Sequence, residues 1–131
     1  MTSRRRDAET WGRRAEAMAA FYLRLKGYRI IGRRIRTPLG EIDLIARRGK
    51  VLAIIEVKAR KDLEGGLAAI GARQRQRLLR AALFHIARNP ALSALSLRFD
   101  AMIMRPCRLP RHIAGAFDHD GMSSMRRSGG L

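Results

Sequence analysis

Gly40-Glu41-Ile42-Asp43-Leu44-Ile45-Ala46 and Val51-Leu52-Ala53-Ile54-Ile55-Glu56-Val57-Lys58-Ala59-Arg60 are two apolar stretches that carry charge where a buried strand should carry none. Ile42, Leu44 and Ile45, then Val51, Leu52, Ile54, Ile55 and Val57, are β-branched or aliphatic, and a glycine sits in the turn between them, so the pair reads as a β-hairpin. An ionised carboxylate buried without a partner costs several kcal/mol, on the order of the whole stability of a small domain. Asp43 and Glu56 therefore call for a partner or a metal. Side chains alternate along a strand, which puts Glu41 and Asp43 on one face of the first strand and Glu56 and Lys58 on one face of the second. A turn near Arg48 and Gly49 brings Asp43 opposite residues 54 to 56, so two acids and a lysine converge. Carboxylate oxygens are what Mg²⁺ or Mn²⁺ prefers, and a lysine beside such an ion can face a phosphate or orient an attacking water. The implied substrate is a phosphodiester. A structural Glu56–Lys58 ion pair, with Asp43 facing solvent, accounts for the same residues without any chemistry.

Outward from the hairpin, residues 10 to 26 read as an amphipathic helix, with Ala15, Met18, Ala19, Tyr22 and Leu23 at helical spacing and Gly27 ending it. Glu16 falls near its middle, and a helical glutamate is ordinarily a solvated one. Tyr28 to Thr37 reads as a strand, and Pro38-Leu39-Gly40 as the turn that leads into the hairpin. After the loop from Arg60 to Gly66, a helix is expected over 67 to 88, ending before Asn89-Pro90, then a strand over Leu95 to Met104 and a last one over Ile113 to Phe117. This alternation gives an α/β fold, a single domain over 10–117 with a central mixed sheet flanked by helices. Residues 1–9 read as a basic N-terminal arm, and 118–131, rich in Gly and Ser, as a disordered tail.

The chain has 131 residues, 28 Lys+Arg against 11 Asp+Glu, and a formal net charge of +17, which suits a polyanionic partner. DNA is the first candidate and RNA is not excluded. In the second helix Arg73, Arg77 and Arg80 form one basic stripe, with Leu79, Leu83 and Ile86 on the opposite side. That stripe could hold a phosphate backbone against the acidic hairpin, and a purely solvated face accounts for it equally well. No apolar run approaches the roughly 20 residues that span a bilayer, and no secretory signal is present, so no membrane partner and a cytoplasmic setting are expected. Cys107 is the single cysteine, which excludes an internal disulfide and makes a zinc site improbable. Of the histidines, His85 is expected to be packed, and His112 and His119 to face solvent.

Five segments occur in a set order: Gly12-Arg13-Arg14-Ala15-Glu16, Lys26-Gly27-Tyr28-Arg29-Ile30, GEIDLIA, EVKAR and Leu97-Arg98-Phe99-Asp100. Together, over roughly residues 10 to 117, they resemble the YraN-type family of bacterial endonuclease-like proteins. The spacing of Asp43, twelve residues, then Glu56-Val57-Lys58 matches the PD-(D/E)xK nuclease signature. The resemblance implies a restriction-endonuclease-like domain similar to archaeal Holliday-junction resolvases, with a catalytic set of Glu16, Asp43, Glu56 and Lys58. It further implies a Mg²⁺ or Mn²⁺ held by Asp43, Glu56 and Glu16, and DNA, branched or structured, as substrate. A symmetric two-strand cut would require a homodimer. Relatives usually open the next helix with a lysine-glutamine pair; here the segment is Gly71-Ala72-Arg73-Gln74-Arg75-Gln76-Arg77, so Gln74 or Gln76 takes that place and the helix entry is expected to be looser. Arg60, Arg73, Gln74, Gln76, Arg77 and Arg80 are the expected nucleic-acid contacts. The competing reading is a non-catalytic nucleic-acid-binding accessory protein on a nuclease fold.

Overall fold

The hairpin forms at the expected place and becomes the centre of a five-stranded sheet. In the computed structural model, which describes residues 2–62, 65–66 and 70–116 (of residues 2–11 the backbone alone), the elements run α1 (Thr2–Leu25), β1 (Arg29–Thr37), β2 (Gly40–Arg48), β3 (Val51–Ala59), α2 (Ala72–Arg88), a short 3₁₀ turn (Pro90–Ala94), β4 (Ser96–Met104) and β5 (Arg111–Ile113). The sheet order is β1-β2-β3-β4-β5. Only β3 and β4 are parallel, Val51 to Ala59 lying beside Ser96 to Met104. A parallel pair needs a crossover, and α2 supplies it, which makes the sheet mixed and the domain α/β.

Each helix covers one face. Ala15, Ala19, Ala20 and Leu23 of α1 pack on Leu44, Ala46, Ala53, Ile55, Met102 and Met104. On the other face Leu78, Ala81 and Ala82 of α2 pack on Ile42, Ile45, Leu52, Ile54, Phe99 and Ile103. Small alanines at the centre of both helix stripes let the helices approach the sheet, while the β-branched and aromatic strand residues fill the space between. β3, the middle strand, is apolar on both faces because both are covered.

Several expectations shift. α1 starts at Thr2 and not at residue 10, since nothing in residues 2 to 11 breaks a helix. Met18 is half exposed and Leu83 likewise, because the buried stripes centre on Ala15/Ala19/Leu23 and on Leu78/Ala81/Ala82, about 100° and about 150° of helix rotation away respectively. α2 begins at Ala72 and not at residue 67, residues 67–69 lying outside the described ones, and its N-cap Gly71 has no side chain to offer a capping hydrogen bond. β5 spans Arg111–Ile113 and not 113 to 117: a turn at Gly115 (φ +63°) ends it, and Phe117, like the tail and His119, lies outside the described residues.

His112 is the clearest correction. Expected at the surface, its side chain is only 2 % exposed, because β5 pairs it with Met102 and turns it onto Asp100. Asp100 is fully buried and accepts four hydrogen bonds: Arg98 Nε at 2.8 Å and Nη2 at 2.7 Å, His112 Nε2 at 2.7 Å and the Gly115 N–H at 2.9 Å. Arg98 Nη2 also donates to Tyr28 Oη at 2.6 Å. Burial alone would push the Asp100 carboxyl up, but the donors from His112, Arg98 and Gly115 hold it down to about 2. The motif residues Tyr28, Arg98 and Asp100 therefore lock β4, β5 and the start of β1 together.

Arg98→Ala leaves this buried carboxylate without its guanidinium, and the expected cost is about 3–5 kcal/mol. Urea denaturation at neutral pH checks it: the midpoint should fall with the slope unchanged.

Candidate metal centre

β2 and β3 pair from the turn as far as Leu44 opposite Ile55, and there the ladder stops. The next residues outward are Asp43 and Glu56, one on each side of the opening. The main-chain N–H of Val57 faces the gap, and the Asp43 carboxylate takes it, Oδ2 accepting at 2.8 Å. The fork thus holds an acid in place with a backbone donor.

Both acids lie on the α2 face of the sheet. Glu56 is 4 % exposed, with Lys58 Nζ 3.2 Å from Oε1 and the Gln74 amide donating to the same oxygen at 2.6 Å. Gln74, near the start of α2, is thus the glutamine that reaches the hairpin, and Gln76 is exposed. Glu41, Asp43, Glu56, Gln74, Arg77 and Leu78 line an open cleft of roughly 190 Å³. Arg77 reaches it because its stem lies on Gly40, where a Cβ would come within 2.8 Å of Arg77 Cγ; the glycine that opens β2 thus makes room for an arginine. Arg73 and Arg80 are exposed on the same helix. Arg60, at the far end of β3, is exposed as well, its guanidinium bonded to the carbonyl of Ala59.

Glu16 comes from α1, across the sheet from this cleft. It is 8 % exposed, buried where a solvated residue was the simplest expectation, and it pairs with Arg34, Nε to Oε1 at 3.1 Å. The sequence reading missed Arg34: its backbone is left-handed (φ 50°), and nothing in the residue pattern announces that. It also left Glu41 out of the site, although alternation with Asp43 was the available signal.

The electrostatics are those of acids crowded together with too little positive charge. Burial, then the Asp43 charge, pushes the Glu56 carboxyl up to about 7 against the pull of Lys58. Asp43 is also raised, by burial, despite the Val57 N–H and Lys58. Glu16 is raised by burial and by Asp43, with Arg34 pulling the other way. A divalent cation would relieve all three. Among the described residues no three His, Cys, Asp or Glu side chains close around one point. A Mg²⁺ or Mn²⁺ ion that binds through one or two carboxylates and keeps waters and substrate phosphates in its remaining positions does not require such a cluster. Asp43 and Glu56 fit that donor set, with Glu16 nearby and tied to Arg34.

A family model for UPF0102, an uncharacterised protein family, matches residues 15–104. UPF0102 proteins of Nitrobacter winogradskyi (50 % identical over 107 residues, 82 % of this chain and 91 % of theirs) and Caulobacter vibrioides (51 % over 115 residues, 88 % and 92 %) are similar along nearly their whole length. One from Rhodopseudomonas palustris is 52 % identical over 104 residues, 79 % of this chain and 77 % of its own. The chain belongs to the UPF0102 family, the YraN-type family that its motifs resemble.

Carboxyls raised in the folded state bind more protons there than in the unfolded chain, so their burial destabilises the fold as pH rises through the window from about 4.5 to about 7 for Glu56. Asp100 acts oppositely and only below its unfolded value of 3.8. The unfolding temperature of metal-free protein should therefore fall between about pH 5 and pH 8, and Glu56→Gln should flatten most of that fall. Millimolar Mn²⁺ should raise the unfolding temperature by several degrees at pH 8 and by little at pH 5, as differential scanning calorimetry would show.

Proposed function

We propose that this UPF0102 protein is a metal-dependent endonuclease that hydrolyses phosphodiester bonds in DNA, acting in the cytoplasm. The observation that carries the reading is the convergence of Asp43, Glu56 and Lys58 at the fork of β2 and β3, in an open cleft bordered by an arginine-bearing helix. The family resemblance to junction resolvases, more than the shape of the cleft, points to branched or structured DNA, and two-strand cutting of such a substrate would take a homodimer.

Bound Mg²⁺ or Mn²⁺ would lower the pKa of a water and offset charge on the phosphate. Asp43, fixed by the Val57 N–H, and Glu56, fixed by the Gln74 amide, would hold the ion in register with the sheet. Lys58 Nζ, now 3.2 Å from Glu56, would orient the attacking water or face the charge that develops on the phosphate oxygens. Arg77 at the cleft edge, with Arg73 and Arg80 along α2, would take flanking phosphates, as electrostatic contacts without base readout.

A second reading, a non-catalytic DNA- or RNA-binding accessory protein, draws on one observation: Lys58 and Gln74 already engage one oxygen of Glu56, Oε1, without a metal. Cleavage of labelled single-stranded, duplex, flap and four-way-junction DNA separates the two. The nuclease reading expects cutting that needs Mg²⁺ or Mn²⁺, lost by a factor on the order of 10³ in Asp43→Ala and on the order of 10² to 10³ in Lys58→Ala, with DNA binding retained. Gln74→Ala should cost roughly 10- to 100-fold, as loss of a group that orients a ligand does. Binding without cutting on every substrate would transfer the case to the accessory reading.

Each of Arg73, Arg77 and Arg80 that contacts a phosphate should, when changed to Ala, lower the slope of log affinity against log salt by about one. Fluorescence anisotropy over a salt series measures it; unchanged slopes in all three variants would remove α2 from the interface.

A further inference from the structure

Arg34 of β1 pairs with Glu16 of α1 and stands at the strand position opposite the fork. In the β1–β2 ladder Arg33 faces Leu44 and Ile35 faces Ile42, so Arg34 stands opposite Asp43. Its φ of 50° is a left-handed conformation that costs a non-glycine residue on the order of 1–2 kcal/mol, and residues kept at that cost gather at functional sites. The head group lies 3.1 Å from Glu16 Oε1 without hydrogen-bonding geometry, so this solvent-inaccessible oxygen has charge compensation and no donor. The Arg34 side chain itself remains 42 % exposed. Glu16 is therefore a buried carboxylate within electrostatic reach of Asp43 and Glu41, kept by a replaceable partner.

We propose that Arg34 is a phosphate-responsive clamp: it holds Glu16 away from the metal site in the free protein and releases it when a DNA phosphate takes the guanidinium. A guanidinium binds phosphate in the same forked geometry as carboxylate, so the exchange replaces one anion by another without stranding the arginine. The freed Glu16 is left within electrostatic reach of Asp43 with an unsatisfied oxygen, and a divalent cation is the partner that would compensate both. Substrate would thereby complete the ion's shell, and metal and DNA would each raise the affinity for the other. This inference rests on the metal-dependent reading above.

The test uses binding, not cleavage. Arg34→Gly removes the guanidinium and suits the left-handed backbone, so it should fold; Arg34→Lys keeps the charge. Without DNA, isothermal titration with Mn²⁺ should show affinity rising roughly three- to tenfold in Arg34→Gly, the size of coupling expected between contacting charged residues. Arg34→Lys should stay near wild type. In a Glu16→Gln background Arg34→Gly should gain little, and Arg33→Gln, which removes a charge that bears more weakly on Glu16, should gain less than Arg34→Gly. Reciprocally, duplex DNA in EDTA should bind more tightly to Glu16→Gln than to wild type, and this gain should vanish when Arg34 is Gly. Mn²⁺ binding by wild type with no change in Arg34→Gly, or an equal gain in Arg33→Gln, overturns the clamp and leaves the metal reading standing. No Mn²⁺ binding by any of these proteins overturns both.

Discussion

The N–H of Val57, donated to the Asp43 carboxylate at 2.8 Å, is the contact on which the site depends. In an uninterrupted hairpin that amide would face the neighbouring strand. Because the ladder ends at Leu44 and Ile55, the donor would be left without a partner at a position that is largely buried, and an unmet buried donor costs about 1–3 kcal/mol. The carboxylate meets it, and in return is fixed at the opening of the fork. Glu56, one residue before Val57 on the same strand, is then held beside it, and the sequence step from Glu56 to Lys58 puts the cation on the same face. One hydrogen bond thus decides both where the strands part and which charges meet there.

The opposing stabilities of the two acid clusters follow from their donors. Asp100 and Glu56 are both almost fully buried acids on neighbouring central strands. Asp100 has an arginine, a histidine and a backbone amide directed at it, and its carboxyl is held down to about 2. Glu56 has one lysine and one amide, faces a second carboxylate, and is pushed up to about 7. The first arrangement is saturated and accessible to nothing, a structural anchor between β4, β5 and Tyr28. The second is under-compensated, open to a cleft and lined by an arginine, which is what a site that must accept a cation and an anionic substrate requires. The contrast separates a saturated acid from an under-compensated one within one small sheet.

Much of this was legible in the residues. The apolar runs from Ile42 and from Val51 could only be central strands, and Asp43, Glu56 and Lys58 stood out because charge does not belong there. Period-two alternation then placed Glu56 and Lys58 together without any structure. Less local facts were out of reach. The phase of α1 and α2 against the sheet was misread at Met18 and Leu83, since alanine stripes carry little hydrophobic signal and the larger side chains drew the reading to themselves. His112 looked like a surface residue because three residues of strand give no pattern, and its partner Asp100 is twelve positions away. Which of Gln74 and Gln76 faces β3 stayed open until the helix phase was known, and it is Gln74 that contacts Glu56.

By itself, the sequence determined that the protein is an α/β domain built on an acidic hairpin, strongly basic overall, and that Asp43, Glu56 and Lys58 converge near one end of that hairpin. Those conclusions rest on local rules, alternation, propensity and the cost of buried charge, which act between residues near in the chain. Tertiary structure decided what surrounds them: that Glu16 is buried and bound to Arg34, that Arg77 reaches the cleft over Gly40, and that Asp100 is an anchor. Those depend on how elements far apart in sequence are set against one another, and on a left-handed backbone at Arg34 that only the assembled sheet makes tolerable.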